Sequence, residues 1–266
     1  MIRVRFRPAN LKERPEVKIV VVGGTGLIGT RLVRELNRQG QEAVTASRAT
    51  GVNTVTREGL DEVLEGADVV VDVTNSSAYD GPAVFEFFEP STRHLLSAGA
   101  LAGIKHHVGL SVVGTDRLGE SGYFSAKIVQ EELIRNSGLP YTLVHATQFF
   151  EFVETITEAA ADEEEENTVH LPPVRIQPMA ADDVAAAVAG VAQSEPRNGT
   201  VEFAGPDEFR LDELARKGLA ARHDRRVVMT EPDARYFGAI LEEDTLVPGP
   251  DAVLSPVHFT DWLERP

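Results

Sequence analysis

Three residues of this 266-residue chain have types and spacing suited to proton transfer. Tyr123 and Lys127 stand four apart in Tyr123-Phe124-Ser125-Ala126-Lys127, so on a helix they share one face. Ser111 precedes Tyr123 by 12 residues, within the apolar segment Gly109-Leu110-Ser111-Val112-Val113. An ammonium beside a phenol favours phenolate and lowers a pKa that is ordinarily about 10. A phenol tuned in this way can protonate a carbonyl oxygen as the attached carbon receives hydride. Ser111 could hold the same oxygen, and Lys127 could also bond a ribose hydroxyl of the hydride donor. The Tyr-x-x-x-Lys spacing recurs by chance, however. In the plainer reading Tyr123 caps a helix and Lys127 serves only a cofactor.

A hydride donor needs its own site, and the chain carries the pattern of one. Ile19-Val20-Val21-Val22 is a β-branched run that breaks into Gly23-Gly24-Thr25-Gly26-Leu27-Ile28-Gly29 and then into a helical pattern. Gly23 permits the tight turn, Gly26 lets backbone approach a pyrophosphate, and Gly29 lets helix and strand pack closely. Unpaired N–H groups at the helix start face the anion. A turn with no ligand is the alternative. The second strand ends in Ala46-Ser47-Arg48 with no acidic side chain to hold a ribose 2′-hydroxyl. Ser47 and the charged fork of Arg48 suit a 2′-phosphate, so NADPH is expected over NADH. Thr74 and Asn75, leaving a later strand, are further candidates for the same ligand.

These residues need a scaffold, and strand and helix patterns alternate to supply it. Strands are expected at 17–22, 42–46, 68–73, 107–113 and 141–145. Helices are expected at 26–39, 60–64, 82–99 and 123–137. This rhythm implies an α/β protein with a Rossmann-type, doubly wound parallel sheet. Beyond about residue 148 the rhythm loosens. A helix at 149–161 runs into an acidic block at 162–166, read as a solvated loop or a mobile flap. Short strands at 174–176 and 200–203 and helices at 181–191, 211–221 and 258–263 follow. Residues 1–16 are expected to be a flexible extension and 17–150 the dinucleotide-binding core. Residues 151–266 are expected to form a small C-terminal substrate lobe, partly interleaved with that core.

Charge and composition narrow the function. A formal charge of −16 argues against binding nucleic acid or anionic lipid surfaces. Hydrophobic residues at 42% suffice for a real core, and no apolar run reaches membrane-span length. With no cysteine, thiolate nucleophiles, thiolate metal sites and disulfides are excluded. Residues 1–16 lack the apolar core of a secretory signal, so a cytoplasmic location is expected. His106-His107 finds no third ligand at metal spacing, and His223 and His258 are isolated, so no metal is expected. Asp182 and Asp183 read as a helix start rather than an acid/base pair. Phe85, Phe87 and Phe88 read as core or a helix–helix interface. Phe149, Phe150 and Phe152 lie past a strand end, where they could line an aromatic pocket or simply pack.

Taken together, these segments resemble the atypical short-chain dehydrogenase/reductase superfamily, closest to its NmrA-like, NAD(P)H-binding branch. The glycine turn, Ser47-Arg48, Leu110–Gly114, Gly122–Lys127 and Ser137–Thr142 carry the likeness, as do Ala146–Phe152 and Gln177–Ala185. It covers roughly residues 17–265. The branch includes reductases of quinones and dyes, natural-product tailoring enzymes, and redox sensors that bind the nucleotide without turnover. The resemblance implies NADPH-dependent reduction of a carbonyl or quinone on a small apolar or aromatic molecule. A sensing role, or an oxygenation using a flavin, stays open. It also implies that Gln148 and Phe149 lie beside the nicotinamide, and that the helix at 82–99 could build a homodimer. Relatives commonly carry arginine where this chain has His145, so no role is carried over to that position; a buried, satisfied histidine is expected.

Overall fold

The computed structural model describes residues 17–264 except 80, 120, 163, 164 and 166. The expected extension at 1–16 and most of the acidic block therefore lie outside the described residues. Strand β1 (Lys18–Val22) leads through the glycine turn into α1 (Leu27–Arg38), then β2 (Glu42–Ala46), α2 (Leu60–Leu64) and β3 (Val69–Asp72). Helix α3 (Pro82–Ala102), β4 (His106–Val112), α4 (Gly122–Arg135) and β5 (Tyr141–Ala146) follow. Most of the expected boundaries fall within one or two residues of these.

Among the described residues the main sheet has seven strands. Two come from beyond β5, namely β8 (Gly199–Ala204) and β11 (Val253–Leu254), and the order is β11-β8-β5-β4-β3-β1-β2. Every pairing in it is parallel. Apolar side chains leave both faces of β1, as a strand covered on two sides must. Ile19 and Val21 join Leu32 and Leu36 of α1 and Val184 and Val188 of α6 (Ala181–Ala192). Val20 and Val22 face Leu60, Leu64, Leu95 and Ala98. The strand order reverses beside β1, opening the carboxyl-edge crevice in which such sheets hold ligands.

The remaining elements are α5 (Val153–Ala159), β6 (Thr168–Leu171), β7 (Arg175–Ile176), β9 (Phe209–Arg210), α7 (Leu211–Ala221), β10 (Val227–Thr230) and α8 (Phe259–Leu263). Their apolar faces meet in a separate cluster that includes Phe150, Ile156, Leu171, Leu214, Val228 and Phe259. The parallel pair β6–β10 was not expected from sequence. The single helix expected at 149–161 is also corrected. Phe149 stays extended because its neighbours bond Met179: Met179 N–H donates to the Gln148 carbonyl and Phe150 N–H to the Met179 carbonyl, both at 2.9 Å. A 3-10 turn, Phe150–Phe152, then leads into α5.

The glycine turn is tight because backbone touches backbone. Gly23 has φ +84°, and a Cβ there would sit 2.9 Å from the Val73 carbonyl oxygen. A Cβ at Gly29 would sit 2.1 Å from the Gly23 carbonyl oxygen. Gly29→Ala is therefore expected to lower stability by about 1–3 kcal/mol, since overpacking here can be relieved only by moving backbone. Urea unfolding monitored by circular dichroism reads this as a lower midpoint.

Candidate active site

A cleft of about 770 Å³ runs along the carboxyl edge of the sheet. One end is built by the glycine turn. Gly23, Thr25, Gly26, Leu27 and Ile28 line it, with Ser47 and Arg48 beside them and Thr74 and Asn75 across. Gly29 does not line the cleft; it serves the turn from behind, as its contact with Gly23 requires. A 3-10 turn, Arg48–Thr50, follows β2, and its start is pinned where Ser47 N–H donates to Thr50 Oγ1 at 2.9 Å. Arg48 is exposed at the rim and, among the described residues, forms no ion pair with a carboxylate. A free guanidinium beside backbone N–H groups fits a phosphorylated dinucleotide.

The other end carries the candidate proton chemistry. Ser111, Tyr123, Lys127, Gln148 and Phe149 all line the same cleft. Tyr123 and Lys127 sit one turn apart on α4, and Ser111 lies in the last turn of the pleat of β4. The Tyr123 hydroxyl donates to Asn75 Oδ1 at 2.9 Å, an oxygen that also accepts the Ser76 N–H. Thr74 turns inward, its N–H and hydroxyl both given to Asp72 Oδ1 at 3.0 and 2.7 Å. Gln148 is buried beside the Tyr236 phenol.

Electrostatics correct one expectation. Burial pushes the Tyr123 phenol above its ordinary value and nearby Tyr79 adds to this, so the protein's own groups keep it protonated. Lys127 does not offset this because its ammonium is engaged elsewhere. It donates to the Leu110 carbonyl at 2.9 Å and to Gln130 Oε1, and lies 4.9 Å from the centre of the Phe88 ring. Gln130 in turn donates to buried Asp72 at 3.0 Å. Burial pushes Lys127 down to about 8, opposed by the charges of Asp72 and Glu131.

Behind this row lies a second buried group that sequence reasoning missed. Ser111 donates its hydroxyl to Glu131 Oε1 at 2.5 Å, and His145 Nε2 lies 2.9 Å from the same oxygen. The Ser111 hydrogen expected to meet a substrate oxygen is thus directed into the protein. His145 is buried as expected, but its Nε2 meets Glu131 by proximity and without hydrogen-bond geometry. Glu131 follows Lys127 by four residues, the same spacing that marked Tyr123 and Lys127, and that periodicity could have flagged it.

Aromatic rings wall the outer part of the cleft. Tyr79 stands 5.7 Å from Tyr123, 5.9 Å from Phe152 and 5.0 Å from Phe237, between ring centres. Tyr236 and Phe237 arrive from more than 110 residues down the chain, in a turn that places Phe237 at φ +45°. The Ser121 hydroxyl holds that turn by donating to the Phe237 carbonyl at 2.8 Å. Phe87 and Phe124 complete the lining, whereas Phe150 packs into the C-terminal cluster. Phe88 lies in the α3–α4 interface with Val84 and Ala126.

Asp182, Asp183, His106 and His258 have structural partners, whereas both ring nitrogens of buried His107 have none among the described residues. Asp182 pairs with Arg31 and Arg34 at 3.2 and 3.0 Å, and Asp183 accepts the Val257 N–H. His106 bonds Thr142 at 2.9 Å, and His258 pairs with Asp207 at 2.8 Å.

Comparison with known proteins adds three findings. Over 144 residues the chain is 29% identical to a (4-alkanoyl-5-oxo-2,5-dihydrofuran-3-yl)methyl phosphate reductase of Streptomyces griseus, covering 49% of this chain and 48% of that protein. Over 149 residues it is 26% identical to a photosystem II assembly factor of Synechocystis, covering 51% and 46%. The chain thus spans about half the length of the curated relatives it matches. Its fold is similar to that of an NADPH-dependent quinone oxidoreductase of Escherichia coli crystallised with NADPH, with TM-score 0.61, 19% identity, and coverage of 81% and 79%.

Two outcomes are expected of the cleft. Arg48→Ala should weaken NADPH binding by about tenfold or more, through loss of a charge-assisted contact, and leave NADH binding unchanged; calorimetric titration of each nucleotide checks this. Lys127 is charged below about pH 8 and neutral above it. NADPH affinity should therefore fall as pH rises through that value, and Lys127→Met should remove the inflection, read by fluorescence titration across the range.

A family model described as NAD(P)H-binding matches residues 23–195, a span that begins at the glycine turn and takes in Arg48, Ser111, Tyr123 and Lys127. The chain belongs to this NAD(P)H-binding family.

Proposed function

We propose that this protein is an NADPH-dependent oxidoreductase that reduces a carbonyl or quinone on a small apolar or aromatic molecule. One observation carries the reading. The Tyr123 hydroxyl lines the cleft between the dinucleotide end and a wall of aromatic rings. The residues present fit NADPH: backbone N–H groups at the glycine turn for the diphosphate, exposed Arg48 for a 2′-phosphate, and Lys127 for a ribose hydroxyl. When bound, NADPH supplies the hydride.

The chain's own residues supply the rest. Tyr79, Phe152 and Phe237 offer ring faces against which a flat substrate packs, and they shield the reacting carbonyl from water. Tyr123 gives its proton to the substrate oxygen, so one carbonyl gains a hydride at carbon and a proton at oxygen; in a quinone the same two-electron addition yields hydroquinone. The phenol is protonated, as this direction requires; its raised pKa makes it a weaker acid, but the alkoxide formed from a carbonyl is the stronger base and takes the proton. Among the described residues the cations that line the cleft are Arg48, at the nucleotide end, and Lys127, beside Tyr123.

A second reading has the family's binding fold serve sensing without turnover; the relationship to an assembly factor favours it, and turnover decides between the two. No helix among the described residues is long and apolar enough to cross a membrane. A cytoplasmic setting and a homodimer formed through α3 complete the proposal.

The decisive assay is NADPH oxidation at 340 nm with 1,4-naphthoquinone. Turnover is expected, and Tyr123→Phe should reduce it by about 10²–10⁴-fold with NADPH affinity nearly unchanged. Unaltered turnover in the variant would remove Tyr123 from the mechanism. An absence of NADPH consumption by the wild-type protein would favour sensing.

A further inference from the structure

Tyr123, Lys127, Glu131 and Arg135 recur every four residues along α4 and share one of its faces. The first two line the cleft. The third is buried, its side chain 4% exposed, directly behind Ser111. Its carboxylate is fully engaged. Oε1 takes the Ser111 hydroxyl at 2.5 Å, with His145 Nε2 2.9 Å away, and Oε2 takes the Arg135 guanidinium at 2.6 Å. Burial alone would raise the Glu131 pKa, but the nearby His145 ring, the Ser111 hydrogen bond and the charge of Arg135 hold it below the ordinary carboxylate range.

An ionised carboxylate only accepts, and a serine hydroxyl has one hydrogen to give. One other hydroxyl competes for that hydrogen, Thr115 Oγ1 at 3.4 Å from Ser111 Oγ. It is farther and uncharged, and its own hydrogen goes to the Val112 carbonyl at 2.6 Å. The Ser111 hydrogen therefore belongs to Glu131. What Ser111 offers the cleft is lone pairs.

We infer that Glu131 is a positioning residue that fixes Ser111 as a hydrogen-bond acceptor toward the cleft, so that the ligand group resting against Ser111 is an O–H or N–H donor. This rests on the proposed reading of the cleft as a site for aromatic carbonyl compounds, and it narrows the ligand. A ring bearing a hydroxyl, such as a hydroxylated quinone or its reduced form, satisfies Ser111, whereas a bare carbonyl oxygen meets another acceptor. It also inverts the role that spacing alone assigns to this serine.

The test uses equilibrium binding, so it stands apart from turnover. Calorimetry with the full-length protein and saturating NADP⁺ compares 2-naphthol, which can donate, with 2-methoxynaphthalene, which cannot. The wild type should bind the naphthol about tenfold more tightly, as one buried hydrogen bond allows. Ser111→Ala should bring the two probes to parity. Glu131→Ala, which frees the serine hydrogen, should shrink the ratio while Ser111 remains in place. A purely structural role for Glu131 would weaken both probes together and leave the ratio unchanged. Equal binding by the wild type, a ratio untouched by Ser111→Ala, or binding of neither probe would overturn the inference. The naphthoquinone assay separately decides the reductase reading.

Discussion

Helix α1 starts where it does because no side chain stands between it and the backbone of the Gly23–Gly24 turn. With a Cβ at Gly29 only 2.1 Å from the Gly23 carbonyl, any larger residue would push the helix off the sheet. That contact sets the height of the first helical N–H groups above β1, and with it the floor of the cleft. The strand order reverses at this point, so the loops after β1 and β3 diverge and leave room between them. Arg48 and Asn75 come to the cleft from either side of that gap.

The opposite wall depends on polar groups that are buried in two connected sets. Asp72 holds Gln130 and Thr74, and Gln130 holds Lys127. Glu131 holds Ser111, His145 and Arg135. Such networks rigidify a site when every member is satisfied and are costly when one is not. Both sets are anchored on one turn of α4, residues 127–131, so the helix that presents Tyr123 also fixes the groups around it. The position of Tyr123 is thus tied to the sheet through β3 and β4 rather than left to a surface helix.

The outer aromatic wall is assembled differently. Tyr79 follows β3, Phe152 sits in the turn before α5, and Phe237 comes from a turn beyond β10. Each is remote in sequence from the others, yet their ring centres lie within 6 Å of Tyr79. A wall built from three segments can change with loop sequence while the nucleotide end stays constant. This is how one scaffold hosts many reactions.

Much of the scaffold could be read from local pattern. The β-branched run into Gly23–Gly29, the alternation of strands with amphipathic helices, and the lack of an acidic residue at Ser47–Arg48 each reflect a local rule, and each found its place around the cleft. The four-residue spacing of Tyr123 and Lys127 likewise placed both on one helix face. Long-range contacts decided the rest. Phe149 stays extended because Met179 claims its neighbours' hydrogen bonds, and β6 forms because β10, about 55 residues later, completes it. Ser111 turns its hydrogen away from the cleft because Glu131 waits behind it, and burial beside Tyr79 and Phe88 disfavours the Tyr123 phenolate. Periodicity tells which side of an element a residue occupies; what stands opposite is supplied by other parts of the chain, and only the folded arrangement brings them there.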